Sequence, residues 1–129
     1  MEKNPSSPRI CIDFDGVLAL YSGWKGHHHH GKPMPGAKRF LEELKRSNVD
    51  FVVHTSRDSK KMILAWFKKY GLPLPLAITS KKIIATVYID DRAMYFDGSF
   101  TRLLGQLQKF KVHWKEGHPF KDLGKKKIV

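Results

Sequence analysis

The chain has 129 residues, 41% of them hydrophobic and 28% charged, with a formal charge of +12. That length suffices for one domain with a buried core, and no apolar run approaches the roughly 20 residues that span a bilayer. The positive charge favours anionic partners, namely phosphorylated small molecules, nucleic acid or acidic surfaces, but the basic residues fall in short pairs that solvated helix faces and a basic tail would explain equally.

Residues 1–8 hold two prolines and no apolar core of a secretory signal, and read as a flexible tail. Arg9–Phe14 reads as a β-strand, apolar and rich in isoleucine. Its Cys11 is the single cysteine, so no internal disulfide forms. A buried thiol and a cytoplasmic location are the corresponding expectations. Asp15–Gly36 is a loop by composition, with Gly16, Gly23, Gly26, Gly31, Gly36, Pro33, Pro35 and four successive histidines, His27–His30.

Ala37, Phe40, Leu41 and Leu44 recur at helical spacing and predict a helix over Ala37–Arg46. Asp50–His54 is a second apolar strand, followed by Thr55, Ser56 and Arg57. Met62, Ile63, Trp66, Phe67 and Tyr70 share one face of a helix over Ser59–Tyr70, which Gly71, Pro73 and Pro75 end. Leu76–Ile78 is a short strand, and Thr86–Ile89 another that runs into Asp90 and Asp91. Ser99–Phe110 is an amphipathic helix. The predicted domain therefore covers residues 9–111, and residues 112–129 form a basic tail.

Strands alternating with helices imply an α/β domain with a mostly parallel central sheet. In such a sheet the loops at the carboxyl ends of the strands gather at one edge, where ligands bind. The first strand delivers Asp13 and Asp15 to that edge, the second Thr55, Ser56 and Arg57, and the later one Asp90, Asp91 and Arg92. Lys81 and Lys82 shortly precede the later strand. Two acids at the end of a buried strand are unfavourable unless a cation or a reaction uses them. Each group also has an ordinary structural explanation. Asp15-Gly16 is a common turn that Asp13 can cap, Thr55 can be a structural hydroxyl, Lys82 a solvated side chain, and Arg57 or Arg92 an ion-pair partner. None of these explains the second acidic pair.

Asp-Phe-Asp-Gly-Val-Leu at residues 13–18, the strand ending in Thr55-Ser56-Arg57, then Lys81-Lys82, then Tyr-Ile-Asp-Asp at residues 88–91 together resemble the haloacid dehalogenase superfamily of phosphohydrolases. The order of the four segments matches, and the resemblance covers roughly residues 10–98. It implies a three-layer Rossmann-like fold. It implies Asp13 as the nucleophile that forms an aspartyl-phosphate, and Asp15 as the general acid and base. It also implies a Mg²⁺ ion held by the Asp13 carboxylate, the Asp15 backbone carbonyl and a carboxylate of the Asp90-Asp91 pair. Asp91 is favoured as the direct ligand, with Asp90 supporting it or holding the lysine. Thr55 and the Ser56 N–H would bind the phosphoryl oxygens, and Lys82, or alternatively Lys81, would neutralise their charge. A receiver domain would carry its acidic pair on the first strand and its phosphorylated aspartate on a middle one, the reverse of the order here.

Many members of the superfamily carry a cap domain. The flap of about residues 19–36 is too short to be one, so the resemblance is to a capless member with an uncovered site. The four-histidine segment reads first as a solvated loop and second as a substrate contact through His28 and His29. Trp24 and Arg57 are further candidate contacts. The expected activity is a Mg²⁺-dependent phosphatase acting on a small phosphometabolite, a nucleotide or a nucleic-acid end. The alternatives are a basic nucleic-acid-binding module on the same fold, or a metal-binding protein using the histidine loop.

Overall fold

A computed structural model describes residues 8–125. The expected N-terminal tail, apart from Pro8, and the last four residues of the expected basic tail lie outside them. The chain divides into two compact units, one ending at Asp90 and the other beginning at Asp91. Among the described residues no helix is long and apolar enough to cross a membrane.

The first unit contains β1 (Arg9–Asp13), α1 (Ala37–Arg46), β2 (Asp50–His54), α2 (Lys60–Lys69), β3 (Ile78–Thr79) and β4 (Val87–Ile89). The four strands form one sheet in the order β3-β2-β1-β4, and every pairing is parallel. This is the α/β class with a parallel sheet that the alternation predicts. Parallel neighbours need a connection that returns to the starting edge, which α1 and α2 provide for β1–β2 and β2–β3. The return from β3 to β4 runs through residues 80–86, an irregular segment with no helix, and the Tyr88 hydroxyl in β4 donates to its Ile83 carbonyl and accepts from its Ala85 N–H.

Side chains alternate across a strand, so one face of the sheet presents Ile12, Phe51 and Val53 while Cys11 and Val52 lie on the other. The first set joins Phe14, Leu41, Ile63, Trp66 and Phe67 in the hydrophobic core. The two helices thus bury their apolar stripes on one face. Their ends explain their lengths. The Ser59 hydroxyl caps α2 by accepting from the Met62 N–H at 3.2 Å. At its other end, Gly71 takes φ 64°, the Leu72 N–H donates to the Phe67 carbonyl, and the Gly71 N–H donates to the Lys68 carbonyl. That is a Schellman cap, and the left-handed residue it requires is why the sequence has glycine there. Asn48, with φ 58°, closes α1 by the same pattern.

Predicted and observed boundaries differ by small amounts with local causes. β1 ends at Asp13, one residue before the expectation, because the Phe14 carbonyl turns to accept from the Leu18 and Ala19 N–H groups. β3 covers Ile78–Thr79 instead of Leu76–Ile78, although the Leu76 N–H already bonds to the Phe51 carbonyl. Thr86 likewise precedes β4 yet bonds to Arg9 through its backbone N–H and its side chain.

The second unit holds α3 (Phe100–Lys109), capped by the Ser99 hydroxyl accepting from the Arg102 N–H. Asp97 pairs with the Arg102 guanidinium at 2.7 Å, which holds its carboxyl below the usual aspartate range. Beyond α3 the described chain is turns, with the Gln108 side chain donating to the Leu123 carbonyl at 2.6 Å.

Phe67 is fully buried between the sheet and its own helix, against Trp66 and Phe51. Phe67→Ala is expected to lower the unfolding free energy by about 3–5 kcal/mol, read from urea denaturation monitored by circular dichroism.

Candidate active site

β1 sits between β2 and β4, and its register decides which side chains meet at the carboxyl edge. Ile12 lies opposite Ile89, so the next residues, Asp13 and Asp90, leave their strands side by side. Asp91 follows by one peptide bond. One carboxylate oxygen from each of Asp13, Asp90 and Asp91 lies within 4.8 Å of the other two. Among the described residues this is the single group of three or more metal-ligating side chains so placed; the four histidines form none. Three carboxylates this close repel one another, and a hard divalent cation relieves the repulsion. An all-oxygen donor set of this kind suits Mg²⁺. The Oδ2 oxygen of Asp91 accepts a hydrogen bond from the Trp114 indole N–H, which orients the carboxylate.

Asp15 takes no part in that cluster. Its two oxygens accept a fork from Arg57, from Nε at 2.8 Å and from Nη2 at 2.9 Å. Arg57 is 4% exposed, and a buried guanidinium is tolerated only when its donors are satisfied. The third nitrogen, Nη1, supplies the rest by donating to the backbone carbonyls of Gly26 at 3.1 Å and His27 at 3.2 Å. Thr55 is also buried, and its hydroxyl oxygen accepts from the Arg57 backbone N–H at 3.1 Å. Accepting that bond leaves the hydroxyl proton as the group's donor. Ser56, next along, is exposed.

The two lysine candidates have local partners. The Lys82 ammonium lies over the Tyr88 ring, 4.7 Å from its centroid. Lys81 donates its backbone N–H to the Thr79 hydroxyl. Both lie in the chain between β3 and β4, and both are exposed.

The flap is an ordered hairpin base with a pinned tip. Leu20 and Lys32, and Leu18 and Met34, are joined by backbone bonds of 2.8 and 2.7 Å. Gly31 passes so close to Leu20 that a Cβ there would lie 2.0 Å from the Leu20 carbonyl oxygen, which excludes any other residue. The Trp66 indole N–H donates to the Gly31 carbonyl at 2.7 Å. Nearer the tip, Trp24 stacks under the Arg57 guanidinium at 5.0 Å and meets the His27 ring edge-on at 4.8 Å. His27 pairs with Asp58 at 3.1 Å, and His30 packs on the edge of Phe14 at 6.0 Å. His28 and His29 are exposed.

Of the candidate residues, the structure therefore gathers Asp13, Asp90 and Asp91 in one cluster, and Asp15, Arg57 and Thr55 in a second linked by hydrogen bonds. Arg57, read from sequence as either a substrate contact or an ion-pair partner, is an ion-pair partner here. Trp66, Asp58 and Trp114 hold site or flap residues and escape sequence reading, because an apolar-face tryptophan or a lone surface acid gives no signal of its long-range partner.

Two groups near the site are shifted. Burial first, then the negative charges of Asp13 and Asp90, pushes the Cys11 thiol up, so it stays protonated. Burial first, then the Arg57 guanidinium, pushes His30 down, with Asp15 acting the other way.

No family model matches the chain, and no curated protein matches it. A solved structure of a conserved protein from Bacteroides thetaiotaomicron is similar with a TM-score of 0.57 and 19% identity, over 81% of this chain and 92% of that one. At that identity the likeness shows the fold alone. The class that fold and sheet topology define is thus a parallel-sheet α/β protein.

The lowered His30 value has a definite sign in stability. In the unfolded chain a histidine takes up its proton near pH 6.5, whereas the native state keeps His30 neutral to lower pH. The unfolded state thus binds more protons in that window. The native advantage is full above about pH 6.5 and is lost as pH falls toward the lowered native value. Between pH 7.5 and 5, the melting temperature of the unaltered protein is expected to fall more steeply than that of His30→Gln.

Proposed function

We propose that this chain is a capless member of the haloacid dehalogenase superfamily, with that superfamily's layered Rossmann-like fold, and that it hydrolyses phosphomonoesters with Mg²⁺. The observation that carries the reading is the meeting of Asp13, Asp90 and Asp91 at the carboxyl ends of adjacent parallel strands. Two separate sequence segments spend their acids on one point, which a turn or a cap does not require.

On this reading Asp13, Asp90 and Asp91 hold the ion, which when bound neutralises phosphoryl charge and aligns it for displacement. An oxygen of Asp13 attacks phosphorus, and the bond from phosphorus to the ester oxygen breaks. Asp15 delivers a proton to the departing alkoxide. Asp15 then takes a proton from water as that water attacks phosphorus, the Asp13–phosphorus bond breaks, and inorganic phosphate leaves. The Thr55 hydroxyl proton and the Ser56 N–H bind phosphoryl oxygens, and Lys82 or Lys81 adds positive charge. Such transfer depends chiefly on positioning and charge neutralisation, which this donor set supplies. The net charge of +12 draws anionic substrates toward the molecule.

The test is release of inorganic phosphate from a panel of phosphometabolites, nucleotides and 3′- or 5′-phosphorylated oligonucleotides, with Mg²⁺ and with chelator. Turnover is expected with Mg²⁺ alone. Asp13→Asn should reduce it to background with an unchanged circular-dichroism spectrum, and Asp15→Asn should lower it about 10²–10⁴-fold. Asp91→Asn should raise the Mg²⁺ concentration needed for half-maximal rate. Full turnover in Asp13→Asn would refute the mechanism.

A further inference from the structure

A guanidinium has five N–H donors in one rigid plane, and where they go is a structural decision. In Arg57 four bonds leave that plane in two directions. Nε and Nη2 grip both oxygens of Asp15, and Nη1 grips the carbonyls of Gly26 and His27 in the flap tip. The Trp24 ring, also in the tip, lies against the face of the same plane. The Arg57 side chain is 3% exposed and that of Asp15 is 18% exposed. One buried rigid group therefore joins the Asp15 carboxylate to Gly26 of the flap tip, 31 residues before Arg57 in the chain.

The flap base does not depend on this junction. It has its own ladder through Leu18, Leu20, Lys32 and Met34, and its own anchor from Trp66 to Gly31. Only the tip, around Trp24 to His27, is held by Arg57, with His27 adding its pair to Asp58. The tip contains Gly23 and Gly26, both at positive φ, the conformations that let a short segment turn away from its base.

We propose that Arg57 is a positioning residue that couples the seat of the flap tip to the orientation of Asp15. When the tip is down, Nη1 and the guanidinium face are occupied and the fork holds Asp15. When the tip lifts, Arg57 loses two acceptors and its aromatic neighbour, and the guanidinium that forks Asp15 is no longer held in one orientation. Coupling of this kind is reciprocal: a change at Asp15 must loosen the tip to the same degree that a change in the tip loosens Asp15. The catalytic consequence rests on the reading of Asp15 as acid and base. On that reading leaving-group protonation proceeds with the tip seated, and substrate enters and phosphate leaves with the tip raised.

The coupling is tested in both directions on the full chain. In the first arm, trypsin cleavage after Lys25, an exposed residue of the tip, is timed by mass spectrometry. Asp15→Ala and Arg57→Lys are expected to speed that cleavage by about 5- to 150-fold, the range of ordinary coupling energies, relative to cleavage in the α2 segment of the same molecule. In the second arm, Trp24→Ala disturbs only the tip, at a residue 53% exposed, and so leaves folding intact. It is expected to slow hydrolysis of an alkyl phosphate, which needs its leaving group protonated, more than that of an aryl phosphate, which does not. Unchanged Lys25 cleavage in Asp15→Ala, or an equal loss on both esters, overturns the coupling. A larger loss on the aryl ester in Trp24→Ala would instead make Trp24 a substrate contact, and also overturns it. Absence of turnover in the unaltered protein would remove the phosphatase reading, and the cleavage arm then decides the coupling alone.

Discussion

Parallel pairing of β1 with both of its neighbours is the constraint on which the site depends. A strand paired on both sides has no freedom to slide, because a one-residue slip would turn Ile12 away from the core and bring Cys11 into it. With register so held, Asp13 and Asp90 leave the sheet at the same level. The repulsion between those carboxylates is a direct result of core packing several residues earlier. Hydrophobic burial supplies the free energy, and the acids are placed where burial puts the chain.

Around that edge the charges separate into two environments. Asp13, Asp90 and Asp91 each bring a carboxylate oxygen within 4.8 Å of the other two. Asp15 has its counter-charge built in, as the buried Arg57. Two aspartates two residues apart in sequence thus differ in surroundings, and that difference allows them different chemical jobs. The turn after β1 makes the separation, because the Phe14 carbonyl accepts from Leu18 and Ala19 and carries Asp15 out of the strand line. Phe14 itself remains in the core, so the divergence occurs at a rigid point.

Much of the fold was legible because hydrophobic period reports secondary structure directly. The helix over Ala37–Arg46 and the strand over Asp50–His54 have the bounds that the pattern predicts. Ser59 and Ser99 fall just outside the helices they begin, as caps do, and Tyr70 and Phe110 just outside the helices they end. β3 was harder to place, since Leu76 and Ala77 bond to β2 without completing a strand pattern. The division of the chain at Asp90 has no compositional mark, because no proline- or glycine-rich linker stands there. In the site, Asp13 and the Asp90-Asp91 pair were legible as acids following strands. The Arg57 fork was legible only as one of two possibilities, since an arginine after a strand has the same sequence signature whether it meets a substrate or an acid 42 residues away.

The sequence by itself determined the alternation of strands and helices, their apolar faces, and the delivery of acids, a threonine and lysines to the ends of strands. Those are local properties, set by side-chain period and by which residues can cap or break an element. Tertiary structure decided the rest: which strand neighbours which, that Asp13 meets Asp90 and Asp91 while Asp15 meets Arg57, and that the flap tip closes on the same guanidinium. Those pairings join residues tens of positions apart, and their partners are chosen by sheet order and by the need to satisfy a buried charge, neither of which any local window of the chain contains.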